Sequence, residues 1–150
     1  MQIVIGSDHG GYPLKEDLKK YLLDKGYAVK DFGTHSTSAV DYPDFAHLVA
    51  DAVARGDYNI GIMIDGTGVA SAIVANKVPG IRCTPCADEF TARSAKEHNN
   101  ANMLTLGAST LAAAKARDIV RLFIETPFAG GRHQPRVDKV LAIERHYLKG

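Results

Sequence analysis

The sequence of 150 residues has no tryptophan, only two cysteines and almost no net charge. A formal net charge of +1 gives no electrostatic argument for a nucleic-acid or anionic-membrane partner. No apolar run approaches the roughly 18 residues that a membrane-spanning helix requires. The N-terminal segment lacks the basic region and the long apolar core of a signal peptide. These absences predict a cytoplasmic protein with no membrane or nucleic-acid partner.

The two cysteines, Cys83 and Cys86, form a single Cys-Thr-Pro-Cys motif. Structural zinc takes about four ligands, and neither a second cysteine pair nor a closely spaced histidine pair offers the other two. The surrounding segment GIRCTPC has the apolar spacing of a buried strand. We therefore expect two buried thiols and no zinc site here.

Short apolar runs alternate with segments of helical periodicity along the whole chain. The runs typical of strands are QIVI, YAVKDFG, YNIGIMI, IRCTP and ANMLTLG. A last helix is expected over about 135–148, where Pro135 suits the first turn. This alternation predicts an α/β fold, a Rossmann-like three-layer sandwich with a five-stranded parallel sheet and helices on both faces. No linker or repeat interrupts the pattern, so we expect one domain over residues 1–150.

Ligands bind such sheets at the carboxyl ends of the strands, and this rule points to five loops. We expect them to share one edge of the sheet: Gly6–Gly11, Gly33–Asp44, Asp65–Gly68, His98–Asn100 and Gly107–Thr110.

Two of these loops combine glycine with an acidic residue directly after an apolar run. In GSDHGG, Asp8 and His9 form a possible acid–base or hydrogen-bonding pair, although Asp8 is equally suited to cap the following helix. In DGTGV, Asp65 adjoins backbone amides that could hold an oxyanion, an arrangement suited to proton abstraction beside a carbonyl. The alternative is a helix-capping Asp65. A dinucleotide fingerprint is incomplete here, because Ser71 occupies the third glycine position.

Two further segments carry cationic or titratable side chains. EHNNAN places His98 before a strand, although a lone histidine is more often structural. GGRHQPR offers Arg132 and Arg136 around a helix start, where arginine forks and the helix dipole favour phosphate. Arginines at this spacing are also common on solvated helix faces. Together the loops favour a ligand with an anionic end and a polyol or carbonyl body, such as a sugar phosphate.

Five motifs follow one another in a fixed order. They are G-S-D-H-G-G, D-Y-P-D-F-A, G-T-G with A-N-K-V-P-G-I-R, E-H-N-x-A-N and G-G-R-H-x-x-R-V. In this order they resemble the type B ribose-5-phosphate isomerases and their galactose-6-phosphate and allose-6-phosphate relatives. The likeness runs from Ile3 to about Glu144 without a large gap.

The resemblance implies aldose–ketose isomerisation through a cis-enediolate, without metal or cofactor, in a homodimer or homotetramer with shared active sites. It implies that the C-terminal helix contributes to the dimer interface. By position, His98 would open the sugar ring, with Asp8 nearby. Tyr42 and Asn99 would line the sugar. Gly66, Thr67 and Gly68 would hold the enediolate. Arg132 and Arg136, together with His9, would bind the phosphate.

Two positions depart from the family pattern. Asp65 stands where many members carry the cysteine that resembles the proton-abstracting base, and Ala70 stands where glycine is common. A carboxylate can perform this chemistry, because triosephosphate isomerase uses one for the same proton transfer. The hypothesis is therefore that Asp65 replaces the cysteine as base. The alternatives are isomerisation of a six-carbon sugar phosphate, a site that binds sugar phosphate without turnover and, least favoured, a dinucleotide-binding module.

Overall fold

The sheet contains five strands, and all of its pairings are parallel, in the order β2-β1-β3-β5-β4. Its strands are β1 (Gln2–Ser7), β2 (Ala28–Asp31), β3 (Ile60–Asp65), β4 (Cys83–Pro85) and β5 (Met103–Gly107). The helices are α1 (Tyr12–Asp24), α2 (Tyr42–Ala54), α3 (Val69–Ala75), α4 (Glu89–Asn99), α5 (Ala113–Glu125) and α6 (Gln134–Tyr147). A short 3-10 helix at Gly131–His133 precedes α6. This computed structural model describes residues 1–148, and it confirms the predicted α/β sandwich.

Helices cover both faces of the sheet, because the central strands are apolar on both sides. Every residue of β3 is buried. Ile62 and Ile64 face the cluster under α1, α4 and α5, whereas Met63 faces the cluster under α2 and α3. Continuous burial of this kind is typical of parallel strands. No helix within residues 1–148 is long and apolar enough to cross a membrane.

The prediction of buried, unpaired cysteines is confirmed. Cys83 and Cys86 are both buried and carry free thiols. Desolvation raises the pKa of both thiols, and neighbouring ionisable groups add to this rise. They remain protonated core side chains rather than nucleophiles.

The strand order reverses between β1 and β3. From β1 the chain passes to β2 on one side of the sheet, whereas β3 lies on the other side of β1. The connections that leave the carboxyl ends of β1 and β3 therefore diverge to opposite faces. A crevice at such a switch point is the usual ligand site of an open α/β sheet. Asp8 and Asp65 lie at or directly after these two strand ends.

A buried ion cluster secures the loop after β2. The Lys15 side chain is fully buried, and its Nζ lies 2.5 Å from Asp31 Oδ2. Lys19 donates to the same oxygen at 2.9 Å, while the Gly33 amide donates to Asp31 Oδ1 at 2.8 Å. Burial alone would raise the pKa of Asp31, but these three hydrogen bonds outweigh burial and lower it.

We expect Asp31→Asn to lower the free energy of unfolding by about 3 kcal/mol, because it leaves the buried Lys15 ammonium without its main counter-charge. Urea denaturation at pH 7 measures this loss. The matched control is Asp24→Asn, which breaks only the exposed pair with Lys20 and should leave the urea midpoint unchanged.

The contribution of Asp31 should also depend on pH. Because folding lowers its pKa, the stabilisation is complete above the unfolded value of about 3.9 and disappears as pH falls through the folded pKa. Equal losses in the two variants, or a loss in Asp31→Asn that persists at acid pH, would contradict this role.

Candidate active site

The loop after β1 is joined to the end of β3 at the switch point. The Asp8 amide donates to the Ile64 carbonyl at 3.2 Å. Asp8 Oδ1 accepts from the Gly11 amide at 2.9 Å, just before α1 begins. Gly11 must be glycine here, because a Cβ would lie 2.3 Å from the Ile64 carbonyl oxygen. Asp8 thus commits one carboxylate oxygen to its own loop. The capping interpretation of Asp8 is wrong, because Gly11 is the N-cap of α1 and Asp8 accepts no amide of the first helical turn.

Asp65 ends β3 and is only 4% exposed, and its carboxylate accepts four hydrogen bonds. Its Oδ1 accepts from the Thr67 amide at 3.1 Å and from the Gly68 amide. Its Oδ2 accepts from the Ser71 amide at 2.9 Å and from the Ser71 hydroxyl at 2.6 Å. A carboxylate offers about four lone-pair sites, so these donors fill all of them.

These bonds answer why a carboxylate stands between a buried strand and a glycine turn. Asp65 holds the loop that follows it and satisfies amides at the start of α3, where no preceding turn can do so. The loop amides were expected to lie beside the carboxylate as exposed donors for an oxyanion. The Thr67 and Gly68 amides instead donate to Asp65 itself.

Strand β5 and the turn that follows it support the same loop from the other side. The Thr105 hydroxyl donates to the Gly68 carbonyl, and the Ser109 amide donates to the Gly66 carbonyl at 2.9 Å. Gly68 has a φ of 80°, a left-handed conformation that favours glycine. At Gly107 a Cβ would lie 2.7 Å from the Thr67 carbonyl carbon, so only glycine fits this close to the loop.

We expect Gly107→Ala to destabilise the protein by about 2 kcal/mol, because the added methyl forces the loop away from β5. Thermal unfolding measures the effect. Gly10→Ala is the matched control, since its Cβ would meet only Asp8 Oδ1 at an ordinary 3.5 Å. Equal melting temperatures for the two variants would show that the loop is not closely packed against β5.

His9 and Tyr42 lie at this same carboxyl edge. His9 Nδ1 is 3.2 Å from both the amide nitrogen and the carbonyl oxygen of Val40, so the tautomer decides which bond forms. Tyr42 begins α2 two residues later and is partly exposed. The loop before α2 is therefore held against His9, which brings His9 and Tyr42 to one rim.

The other predicted residues lie at the opposite edge. His98 and Asn99 end α4, beside the start of β4 and β5: Arg82 Nε donates to the Asn99 carbonyl at 3.3 Å, and the Asn102 amide donates to the Arg82 carbonyl. Arg136 lines a groove of about 610 Å³ that also includes Asn99. The prediction that His98 shares the rim of Asp65 is wrong for a single chain.

The physical reason is the direction of the crossover helix. A helix between two parallel strands runs back along the sheet, so α4 begins at the carboxyl edge and ends at the amino edge. Asp65 pairs with Gly107, the last residue of β5, whereas Met103 begins that strand. At about 3.3 Å per residue, roughly 13 Å of strand separates the two edges.

At the amino edge, His98 is held between two partners. Its Nδ1 lies 3.2 Å from Ser94 Oγ, and its ring stacks on His133 with centroids 4.5 Å apart at 15°. Partial burial lowers the pKa of His133, and the nearby His98, Arg132 and Arg136 lower it further. Arg132 and Arg136 thus lie close enough to His133 to influence its charge.

Three contributors to the site were missed by sequence reasoning. Ser71 was seen only as a broken fingerprint, whereas it supplies two of the four bonds to Asp65. Thr105 lies within an apolar strand, and His133 adjoins the more conspicuous arginines. Ser71 and Thr105 could have been found from the sequence, because each is a polar residue within an apolar segment. No sequence signal indicated that His133 stacks on His98.

A parallel sheet with polar, glycine-rich loops at its switch point defines the chain as an α/β protein with a small-molecule site. A family model described as Ribose/Galactose Isomerase matches residues 3–140. Ribose-5-phosphate isomerase B of Escherichia coli is 40% identical over 144 residues, covering 96% of this chain and 97% of that protein. The putative sugar phosphate isomerase YwlF of Bacillus subtilis is also 40% identical, over 149 residues and the full length of that protein.

Solved structures agree with this assignment. Ribose-5-phosphate isomerase B of Clostridium thermocellum superposes with a TM-score of 0.96 at 50% identity, covering 98% of this chain and 99% of that one. The Mycoplasma genitalium enzyme with bound ribulose-5-phosphate gives a TM-score of 0.92 at 41% identity, covering 96% of each chain. The protein belongs to the ribose/galactose isomerase family. It is therefore an enzyme of the aldose–ketose sugar-phosphate isomerase class.

Proposed function

We propose that the protein interconverts ribose 5-phosphate and ribulose 5-phosphate through a cis-enediolate, without a metal, and that Asp65 is the base. The observation that carries the proposal is a buried carboxylate at the switch point, where β3 ends and where the resemblance implies a cysteine in many family members. The bound ribulose-5-phosphate of the Mycoplasma genitalium relative supports the choice of substrate. A cytoplasmic location is part of the same proposal.

The reaction needs one base and one set of oxyanion donors. After the sugar ring opens, Asp65 takes the proton from C2 and the electron pair moves to the carbonyl oxygen at C1. The resulting enediolate is held by the loop donors that Asp65 does not use, the Gly66 amide and the Thr67 hydroxyl. The same proton returns at C1 while the proton of the C2 hydroxyl passes to the oxygen at C1, which gives the ketose. Preorganised donors stabilise such an oxyanion strongly in a water-poor site.

Asp65 can accept this proton only if one of its four hydrogen bonds yields. Three of the donors are backbone amides of an anchored loop and a helix start, and these cannot turn away. The fourth is the Ser71 hydroxyl, which rotates about a single bond. Release of this hydroxyl exposes a lone pair on Oδ2 while the amides keep the carboxylate in place.

The test of the base is Asp65→Asn. We expect kcat to fall by about 10³, because the amide has no basic oxygen for the proton. Binding of ribulose 5-phosphate, measured by calorimetry, should survive. If both turnover and binding vanish, Asp65 acts only as the loop holder, as the capping interpretation states. Full activity would exclude Asp65 from the chemistry altogether.

We also propose that each site is shared between two copies of the chain. Asp8, His9 and Asp65 lie at the carboxyl edge, whereas His98 and Arg136 lie at the amino edge, too far away for one sugar phosphate to touch both. A second copy in opposite orientation would supply the missing half. The phosphate grip would then join the arginines of one copy to His9 of the other.

Exposed apolar side chains support this arrangement. Val69 and Ile73 on α3 are 56% and 59% exposed, and Val140 and Ile143 on α6 are 53% and 61% exposed. Helix α3 begins beside Asp65 and ends at the groove lined by α6. Antiparallel packing of two such faces across a two-fold axis would bring the carboxyl edge of one copy to the amino edge of its partner.

Mixed dimers test the shared site. Asp65→Asn and His98→Ala should each be nearly inactive alone. Refolded together in equal amounts, they should recover about a quarter of wild-type activity, because about half of the dimers are mixed and each of these has one intact site. No recovery in mixtures shown by mass spectrometry to contain the mixed dimer would place both residues in one chain's site.

The six-carbon alternative is favoured by one finding, since the matching family model is described for galactose as well as ribose. Coupled assays with ribose 5-phosphate, allose 6-phosphate and galactose 6-phosphate separate these substrates. Binding of all three without turnover would instead support a sugar-phosphate-binding protein.

A further inference from the structure

A pair of stacked histidines occupies the amino edge of the site. His98 is the last residue but one of α4, and His133 ends the 3-10 helix before α6. The two segments are joined next to the pair, because the Ala129 amide donates to the Glu97 carbonyl at 3.0 Å. Gly130 and Gly131, with φ of 63° and 52°, then turn the chain so that His133 meets His98.

Both rings are oriented by contacts rather than left free in solvent. The centroids are 4.5 Å apart at an interplanar angle of 15°, a parallel stack. Ser94 Oγ lies 3.2 Å from His98 Nδ1. One face and one nitrogen of the His98 ring are thus committed. Nε2 makes no hydrogen bond within residues 1–148, so it is the ring atom left for a ligand.

The charges around the pair favour a neutral His133. Arg132 and Arg136 lie on its own segment, and His98 and Glu97 face it from α4. Three of these four groups are cationic or can become so, and two stacked imidazolium rings would repel one another. A neutral, planar His133 can cover His98 without competing for its proton.

We infer that His133 is a positioning residue of the ring-opening step, which fixes the His98 imidazole by face-to-face stacking so that Nε2 points at the sugar. This inference rests on the proposed function, in which His98 opens the ring. In ring opening the bond between C1 and the ring oxygen breaks. One proton leaves the anomeric hydroxyl, and one proton is added to the ring oxygen. A correctly aimed imidazole serves both transfers, and misplacement by about 1 Å can cost 10²-fold in rate.

The test compares three variants in the coupled assay with ribose 5-phosphate. His133→Ala removes the stack, and kcat should fall at least about tenfold with KM within about twofold. His133→Phe keeps a flat ring of similar size without titratable nitrogens, and it should restore most of kcat. The matched control is His47→Ala, an exposed histidine on α2, which should leave both constants unchanged.

Inhibition by inorganic phosphate separates positioning from phosphate binding. The inhibition constant should be the same in wild type and in His133→Ala. A weaker inhibition with a raised KM, or failure of His133→Phe to rescue, would overturn the inference and make His133 a charged ligand of the phosphate. Unchanged kcat in His133→Ala would overturn it as well. Absence of turnover in the wild type would instead overturn the proposed function, and the inference with it.

Discussion

The hydrogen bonding of the Asp65 carboxylate to the loop that follows it is the interaction on which the rest of the site depends. It closes a buried strand, accepts four hydrogen bonds and thereby determines the path of the Gly66–Gly68 loop and the start of α3. A buried carboxylate with fewer donors would be costly, and a loop with no acceptor at this point would leave amides unsatisfied. The loop amides supply the donors that the buried carboxylate needs, and the carboxylate supplies the acceptor that the amides need. The loop and the carboxylate therefore stabilise one another.

This arrangement creates a conflict between structure and chemistry. The same hydrogen bonds that hold the loop occupy the lone pairs that a base needs. A cysteine at this position would accept weaker bonds and would leave the loop more dependent on β5 and on glycine. In the proposed mechanism the Ser71 hydroxyl reconciles the two demands, because it is the only one of the four donors that can turn away without moving the backbone.

The two edges of the sheet divide the remaining chemistry. Charged and titratable groups at the carboxyl edge suit proton transfer, whereas the imidazoles and arginines at the amino edge suit ring opening and phosphate binding. Neither set is a complete isomerase site. In the proposed dimer, symmetric association of two copies would join them without any movement inside a chain, and assembly would then be a condition of activity.

The sequence by itself determined the fold class, the strands and helices, the buried cysteines and the motifs that identify the family. These follow from local periodicity and from residue types at strand ends, which depend on few long-range contacts. The support from Thr105 and the stack of His133 on His98 depended on the tertiary structure, because each joins segments that lie far apart in the chain. The fourfold bonding of Asp65 is local in sequence, but it depended on the path of the strand-to-helix turn, which residue periodicity does not specify. Helix direction explains the largest error: α4 carries His98 back along the sheet, so a residue near Asp65 in the order of motifs lies a strand length away in the folded chain.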